Sequence, residues 1–376
     1  MKFNISEVND CYGCGVCAMS CPAHIVDLKL NKRGFYTPHI LNTYACLSCG
    51  ICRDVCSYLD DSIGVEESIS HNCYASWSND IDVRQTCSSG GVGYEVARYL
   101  INDGYKVVGV KYDATNNKTF HYVAETEEEL KPSIGSKYIQ SYTVDAFVKI
   151  DKNDKYLITG TPCQIDSFRR YIRRLKCEDN FILLDFFCHG VPSMYLWEKY
   201  CNEVKDKTGK ILRVSWRNKT NGWHDSWRMI VTGSKSEYSN RWTTGDLFYK
   251  FFLSNSCLGK ACYSHCKYKG CSSSADIRIG DLWGKTYNKD ENGVSGVLVF
   301  TEKGEEIIKH LNCTLIDHPS EVICEGQMHH RLKKPMTHGL ICRLLKTKLP
   351  LKIIFIVVQV TRISFLLKCK LKRVRI

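Results

Sequence analysis

The sequence predicts a small cysteine-rich domain, then a larger α/β or α+β body built on a mixed sheet, and finally a basic helical tail. Three observations lead to this prediction. Eight of the 22 cysteines lie in two regularly spaced groups before residue 60. From residue 73 to about residue 330, apolar runs of strand length alternate with segments of helical periodicity. Much of the positive charge then lies after residue 331.

The composition is typical of a folded protein in a reducing compartment. A chain of 376 residues is long enough for two or three domains with buried cores. The N-terminal residues lack the apolar core of a signal peptide, so we expect a cytoplasmic protein whose many cysteines are metal ligands rather than disulfides. The net charge of +12 is not accompanied by a nucleic-acid recognition motif, so nucleic acid is not an expected partner.

Five segments are predicted along the chain. They are a cysteine-rich domain at 1–60, a polar linker at 61–72, α/β regions at 73–150 and 151–330, and a basic amphipathic tail at 331–376. The apolar run within the tail is too short to cross a bilayer, which needs about 20 apolar residues. Two interpretations of residues 349–376 stay open, peripheral contact with a membrane surface and packing against a partner protein.

The cysteine-rich domain has the spacing of a protein with two [4Fe–4S] clusters. The pattern C-x2-C-x2-C-x3-C occurs twice, followed by Pro22 the first time and by Ser57 the second time. In such ferredoxin-type runs the fourth cysteine binds the cluster of the other run. We therefore expect one cluster on Cys11, Cys14, Cys17 and Cys56, and the other on Cys46, Cys49, Cys52 and Cys21. A zinc scaffold is the weaker alternative, because zinc does not require this rhythm of four cysteines.

Strand and helix signals alternate through the body. Short apolar and β-branched runs predict strands at 74–77, 106–112, 120–124, 156–159, 181–187, 211–217, 227–231, 296–300 and 314–316. Helical spacing and capping residues predict helices at 92–101, 125–130, 164–175, 194–204 and 303–310. Cys163 and Cys188 follow two consecutive strands, so they should meet at one edge of a parallel sheet, where open α/β folds bind ligands.

Two loops are candidates for binding a phosphate-bearing cofactor. The first precedes a predicted helix, where hydroxyls and free amides suit a pyrophosphate. The second offers a cation and an aromatic face, which suit a flavin ring or a phosphate tail. The candidate residues are Ser88, Ser89, Gly90 and Gly91 in the first loop and Ser136, Lys137, Tyr138 and Gln140 in the second. Either loop taken alone is also compatible with an ordinary turn.

A second dense group of cysteines lies at 257–271 and leaves two ligand sets open. The local set is Cys257, Cys262, Cys266 and Cys271. The other set joins Cys163 and Cys188 to Cys262 and Cys266. The segment 275–284 that follows contains two aspartates, which are candidates for accepting hydrogen bonds from amides or from a flavin edge, and a plain turn is its alternative interpretation.

Several motifs in one order resemble the coenzyme F420 hydrogenase/dehydrogenase beta-subunit family, in the form with an N-terminal two-cluster ferredoxin domain. The motifs are TCSSGG at 86–91, GSKYIQS at 135–141, GTPCQI at 160–165, FCHGVPS at 187–193, and AD followed by GDLWG within 275–284. The resemblance implies an iron–sulfur flavoprotein with FAD in the body. It also implies a third [4Fe–4S] cluster, on Cys163, Cys188, Cys262 and Cys266, although three residues separate the last two cysteines where two are expected.

This resemblance implies an oxidoreductase that moves electrons between clusters, FAD and a hydride carrier such as coenzyme F420, or a small-molecule substrate. A redox partner protein or ferredoxin would be its electron partner. Similar bacterial proteins accompany surface-polysaccharide synthesis, which suggests that pathway. The alternative function is an electron-delivery subunit without substrate chemistry of its own, docking on a partner enzyme through the basic tail.

Overall fold

The computed structural model describes residues 4–63 and 72–373. Of the predicted linker at 61–72, residues 64–71 lie outside this described part. The strands are β1 (Val26–Leu30), β2 (Tyr36–Ile40), β3 (Asn72–Ser78), β4 (Lys106–Asp113), β5 (Lys118–Ala124), β6 (Ser141–Tyr142), β7 (Tyr156–Thr159), β8 (Phe181–Phe186), β9 (Ile211–Ser215), β10 (Arg228–Gly233), β11 (Glu237–Arg241), β12 (Ile277–Asp281), β13 (Ser295–Val299) and β14 (Cys313–Asp317).

Helices connect most of these strands. The α-helices are α1 (Val16–Met19), α2 (Ile51–Asp54), α3 (Ile81–Thr86), α4 (Val92–Asn102), α5 (Glu127–Leu130), α6 (Val144–Phe147), α7 (Pro162–Leu175), α8 (Met194–Thr208), α9 (Leu247–Leu253), α10 (Lys260–Ser264), α11 (Glu302–His310), α12 (Ser320–Ile323), α13 (His338–Leu344) and α14 (Leu351–Arg373). Single 3₁₀ turns occur at Ile5–Glu7, Lys131–Ser133, Glu178–Asn180 and Lys285–Tyr287.

A mixed sheet of nine strands forms the body, in the order β14-β3-β13-β12-β8-β7-β4-β5-β6. The central strands β12, β8, β7 and β4 are parallel to one another. Alternate side chains reach opposite faces, so that Leu157 and Ile182 pack with α4 and α11, whereas Ile158 and Leu183 pack with α6 and α7. Because helices cover both faces, β7 and β8 are apolar apart from Thr159 and Asp185. The predicted α/β body with a large mixed sheet is confirmed.

A second core lies beside the large sheet. Strands β9, β10 and β11 form a separate antiparallel sheet. Helices α8, α9 and α13 and the start of α14 share one hydrophobic core with it. Trp197, Trp216 and Phe248 are almost completely buried there, and such large rings contribute much of the apolar area that a core removes from water.

The N-terminal domain packs directly against the body. It consists of the β1–β2 hairpin and the one-turn helices α1 and α2. The Thr143 hydroxyl of the body donates to the carbonyl oxygen of Cys14 at 3.0 Å. Gly15 has a φ of 79°, and a Cβ at that position would lie 2.0 Å from Thr143 Oγ1. Glycine is therefore required where the two parts of the chain approach each other.

Most predicted elements of the body are present with slightly different ends. Strand β7 has the predicted bounds, and α8 begins after Ser193, whose hydroxyl accepts from the Tyr195 amide at 3.2 Å. A plain turn at 275–284 is wrong, because residues 277–281 form β12 between β8 and β13. Its glycine and its flanking aspartates are turn-forming residue types, and only pairing on both sides explains why a strand forms there.

Candidate iron–sulfur and cofactor sites

Two cavities of the N-terminal domain are each lined by four cysteines. The first set, Cys11, Cys14, Cys17 and Cys56, lines a cavity of about 340 Å³, and the second set, Cys21, Cys46, Cys49 and Cys52, lines one of about 360 Å³. Helices α1 and α2 begin at Gly15 and Gly50, both with positive φ, which turns the chain between two cysteines of one set. The structure thus brings each predicted set of side chains together.

The surroundings of these thiols suit an iron–sulfur cluster. The amide of Gly13 donates to the Cys11 sulfur at 3.3 Å, and the Asn4 side chain donates to the Cys46 sulfur at 3.4 Å. Burial raises the pKa of Cys11 to about 12 and that of Cys56 to about 11, and the neighbouring Cys14 thiol acts in the same direction on both. Bound iron removes that penalty by stabilising the thiolate.

The arrangement of the sulfurs also differs from that of a single-ion site. In the described part of the chain, no three or more His, Cys, Asp or Glu side chains converge on one point as the ligands of one metal ion do. The cysteines of the first two sets surround their cavities instead. In a [4Fe–4S] cubane each thiolate binds a different iron atom, so its four ligands surround the cluster.

A third set of cysteines comes together at the sheet edge after β7 and β8. Burial raises the pKa of Cys163 well above its usual value, and the thiols of Cys188 and Cys262 raise it further. Burial also raises the pKa of Cys262, with the neighbouring thiols of Cys188 and Cys266 adding to the effect. Such mutual effects require close neighbours. Cys163, Cys188, Cys262 and Cys266 therefore lie near one another, and they are called the third set below.

Two members of the local alternative, Cys257 and Cys271, lie beside other cysteines. Cys257 is completely buried, and its electrostatic neighbour is Cys342 rather than Cys262. The Cys271 sulfur lies 3.1 Å from that of Cys324, at the end of α12. Both cysteines thus have other partners.

Tyr12 links the first set to the third. Its side chain lines the cavity of the first set, and its hydroxyl donates to the His265 carbonyl oxygen at 2.5 Å. Burial raises the pKa of Tyr12 beyond its usual range, and the thiols of Cys163 and Cys266 act in the same direction. The ring therefore lies between two groups of cysteines. Its position inside a C-x2-C run gives no sign of this in the sequence.

A hydrogen-bonded contact joins the same two sets on another side. Ser167 Oγ lies 3.4 Å from the Cys14 sulfur and 2.7 Å from Ser57 Oγ. Ser57 Oγ in turn donates to the carbonyl oxygen of Cys163 at 3.2 Å. Protein atoms therefore fill the space between the first and third sets. Ser57 stands where the first run has Pro22, so the change of residue type supplies this hydroxyl.

The two candidate cofactor loops meet in the structure. The Ser136 amide donates to Ser88 Oγ at 2.9 Å. Arg217 joins them, since its guanidinium donates to the Ser88 carbonyl oxygen and to the Tyr138 hydroxyl, both at 3.3 Å. Sequence reasoning missed Arg217. The available signal was the cluster of tryptophan, arginine and lysine directly after β9.

Arg217 is held in a fixed position. It pairs with Asp281 at 3.0 Å, and its guanidinium carbon lies 4.9 and 5.1 Å from the ring centroids of Trp227 and Trp283. Burial acts to lower the pKa of Arg217, but the Asp281 carboxylate raises it above its usual value. The site therefore keeps a permanent cation with its aromatic neighbours.

Comparison with known families agrees with this geometry. Residues 10–60 match the 4Fe-4S dicluster domain, and residues 153–315 match the C-terminal part of the coenzyme F420 hydrogenase/dehydrogenase beta subunit. Over these two segments the chain is similar to an iron–sulfur dicluster domain and to the C-terminal domain of this beta-subunit family. The second match contains the third cysteine set and Arg217.

The names of two similar proteins both mention F420. The coenzyme F420-dependent sulfite reductase of Methanocaldococcus jannaschii is 27% identical over 177 residues, which are 45% of this chain and 27% of that protein. This chain thus matches only about a quarter of its relative's length. A solved chain of the F420-reducing [NiFe] hydrogenase complex from Methanosarcina barkeri is similar at 17% identity and a TM-score of 0.44, covering 75% of this chain and 89% of that chain.

Two further cations lie beside the cofactor loops of the beta-subunit-like body. Lys137 donates to the carbonyl oxygens of residues 132, 133 and 134, and Lys219 donates to those of residues 84, 89 and 292. Burial lowers the pKa of Lys137 to about 7 and that of Lys219 to about 8. Each ammonium is desolvated, so an anionic ligand would stabilise its charged form.

Some predicted cofactor residues already have hydrogen-bond partners within the protein. The Gln140 side chain accepts from the Tyr36 amide at 2.9 Å and donates to the Tyr12 carbonyl oxygen at 3.1 Å, which places it in the contact with the N-terminal domain. Ser89 Oγ donates to the Val294 carbonyl oxygen at 2.9 Å. The Gly90 amide is bound by Ser295 Oγ at 3.0 Å. In the first candidate loop, Ser88 is thus the residue whose side chain contacts the second loop, whereas Ser89 and Gly90 contact residues 294 and 295.

The two aspartates of the segment 275–284 have different contacts and different roles. Asp276 is completely buried, accepts from the Leu183 amide at 2.7 Å and pairs with Arg169 at 2.9 Å, so it holds the sheet to α7. Asp281 is at the end of β12 and orients Arg217. Only Asp281 belongs to the candidate cofactor site.

Proposed function

We propose that this protein is an iron–sulfur flavoprotein oxidoreductase. It moves electrons between three [4Fe–4S] clusters, FAD and a two-electron carrier or substrate. The observation that carries this proposal is the succession of three cysteine sets, in which Tyr12 and Ser167 bridge the first and the third. Electrons pass between clusters through the intervening protein. The protein sets the distance between the clusters and the reduction potential of each one.

The first and second sets would hold the two clusters of the N-terminal domain, and the third set would hold a cluster in the body. Amide and side-chain donors to the sulfurs, as at Cys11 and Cys46, would tune the cluster potentials. The cluster of the second set would exchange electrons with a redox partner protein or ferredoxin. Support for this comes from the exposure of Cys49 and of the nearby Tyr44 and Leu47, which are 100% and 67% exposed.

FAD would bind where the two loops meet. When bound, it supplies the exchange between two-electron hydride chemistry and single electrons. Ser88 and Ser136 would bind polar groups of the cofactor, Lys137 and Lys219 would neutralise its phosphates, and the Tyr138 side chain would orient Arg217. The buried, incompletely compensated positive charge is the feature of the site that suits a pyrophosphate.

The carrier to test first is a deazaflavin of the coenzyme F420 type, because the names of the matched family and of the sulfite reductase mention it. Surface-polysaccharide metabolism is the proposed setting. We also propose that the protein acts in a reducing compartment, where such clusters survive. Anaerobically purified protein should contain roughly twelve iron atoms per chain, four for each cluster. Denaturation should release FAD.

A measured content of eight iron atoms or fewer, without flavin, would contradict this function. The alternative is an electron-delivery subunit, and the match to only 27% of the sulfite reductase favours testing it. In that case the reduced protein would pass electrons to a partner enzyme, yet would oxidise neither reduced F420 nor a reduced nicotinamide when alone. Stopped-flow spectroscopy of the protein with each carrier separates the two functions.

A further inference from the structure

Helix α14 is apolar on two opposite sides. On the side that faces the protein, Leu351, Ile354 and Val358 are at most 4% exposed and belong to the second core. Phe355 adds a ring contact with Phe251 of α9, with centroids 5.7 Å apart. The first half of the helix is therefore fixed to the body by ordinary hydrophobic packing.

The outward side of the same helix carries a second apolar stripe. Its members are Ile353, Ile356, Val357, Val360 and Ile363, which are 43%, 47%, 36%, 57% and 56% exposed. These positions follow helical spacing, so they form one continuous strip. A helix surrounded by apolar side chains is normally covered on all sides, and exposed strips of this kind mark interaction surfaces.

The charge of the C-terminal segment indicates what kind of surface the outward strip would bind. Residues 326–376 contain 13 lysines and arginines and neither aspartate nor glutamate. A second copy of the chain would bring the same positive charge and would be repelled. An apolar strip in a segment whose acidic residues are absent and whose basic residues are many is complementary to a layer with an anionic surface and an apolar interior.

We propose that α14 docks this protein onto an anionic lipid surface, with the outward strip inserted at the level of the lipid head groups. No helix in the described part of the chain is long and apolar enough to cross a membrane. The helix would therefore lie in the plane of the interface. Its inward side stays packed on the second core, so the body is held at the membrane without unfolding.

Vesicle binding tests this proposal on the full-length holoprotein under anaerobic conditions. Sedimentation with vesicles of phosphatidylcholine alone is compared with vesicles that also contain phosphatidylglycerol. We expect binding only to the anionic vesicles, weakening as salt is raised. The double variant Ile356→Asn/Val360→Asn should bind at least about tenfold more weakly, because it removes apolar area from the strip. Leu212→Asn on β9, a site 56% exposed, is the matched control and should bind like the wild type.

Three outcomes would overturn the proposal. These are failure of the wild type to bind anionic vesicles, equal binding by the double variant, and a salt-stable dimer that the double variant abolishes. Iron content and visible spectrum of each variant check that the protein is folded. The result is independent of the proposed redox function, since vesicle binding requires neither FAD nor a turnover assay.

Discussion

The N-terminal domain and the body assemble their cysteines in opposite ways. In the N-terminal domain, three members of each set come from one short run, and only the fourth comes from the other run. The third set draws on the start of α7, on the residues after β8 and on α10 with the turn behind it. Local spacing therefore positions the first two sets, whereas the third exists only when the sheet is complete.

The two regions also differ in what holds them together. In the N-terminal domain, buried or partly buried cysteines make up a large part of the core itself. The body has separate cores of aliphatic and aromatic side chains on both faces of its sheet. A domain whose core consists largely of ligands depends on its metal for folding, and a domain with its own apolar core does not.

Removal of the metal gives the largest expected difference between the two regions. In chelated, iron-free protein, residues 11–56 should lose most of their protection from hydrogen exchange, because cluster binding supplies their folding free energy. Strands β7 and β8 should remain protected. Hydrogen–deuterium exchange with mass spectrometry measures both in one sample. If the two regions are equally protected after iron removal, the N-terminal domain does not depend on its metal more than the body does.

A smaller, local effect is expected from changing one member of the third set. Cys266→Ser should lower the iron content by about four atoms per chain, since one [4Fe–4S] cluster loses a ligand. Cys271→Ser, five positions further on, is the matched control and should retain all the iron, because Cys271 pairs with Cys324. Iron analysis and electron paramagnetic resonance of the reduced proteins give the readout. Loss of iron in Cys271→Ser alone would instead support the local ligand set.

FAD affinity should depend more on the geometry of the Arg217 side chain than on its positive charge. Arg217→Lys keeps a cation but loses the paired contact with Asp281 and the stacking on two indoles. Losing hydrogen bonds of a charged group costs roughly 1.5–3 kcal/mol, so FAD affinity should fall about tenfold to hundredfold while iron content is unchanged. Arg213→Lys, at an exposed position of β9 just before Arg217, should bind FAD normally. Fluorescence titration of flavin-free protein decides this prediction, which fails if both variants behave alike.

The smallest expected effect is a pH dependence of flavin binding. Burial holds the pKa of Lys137 at about 7 and that of Lys219 at about 8, so both ammonium groups lose their protons as the pH rises. A phosphate-bearing ligand needs the charged forms. Its affinity should therefore fall as the pH is raised from about 6.5 to about 9.5. Lys137→Met should bind more weakly at the lower pH and show a shallower profile, and a wild-type affinity that does not change over this range would refute the prediction.

The sequence by itself predicted how the cysteines of the two runs divide between two clusters, and the order of the body's main strands and helices. Ligand spacing is a local property, so Cys11 to Cys56 can be divided between two clusters without a structure. Apolar runs such as 156–159 and 181–187 likewise specify buried strands directly. The motif resemblance adds the family, but the matched motifs do not state which side chains touch.

Tertiary structure alone decided the remaining features of the site. It placed Cys262 and Cys266 near Cys163 and Cys188, and Cys271 beside Cys324, because distances across a sheet edge do not follow from separation along the chain. It assigned Gln140 to the contact between the domains, where its amide satisfies two backbone groups. It also brought Arg217 from a second sheet to the two cofactor loops. Long-range contacts of this kind depend on how the sheet and its covering helices pack, and no local pattern of residues encodes that packing.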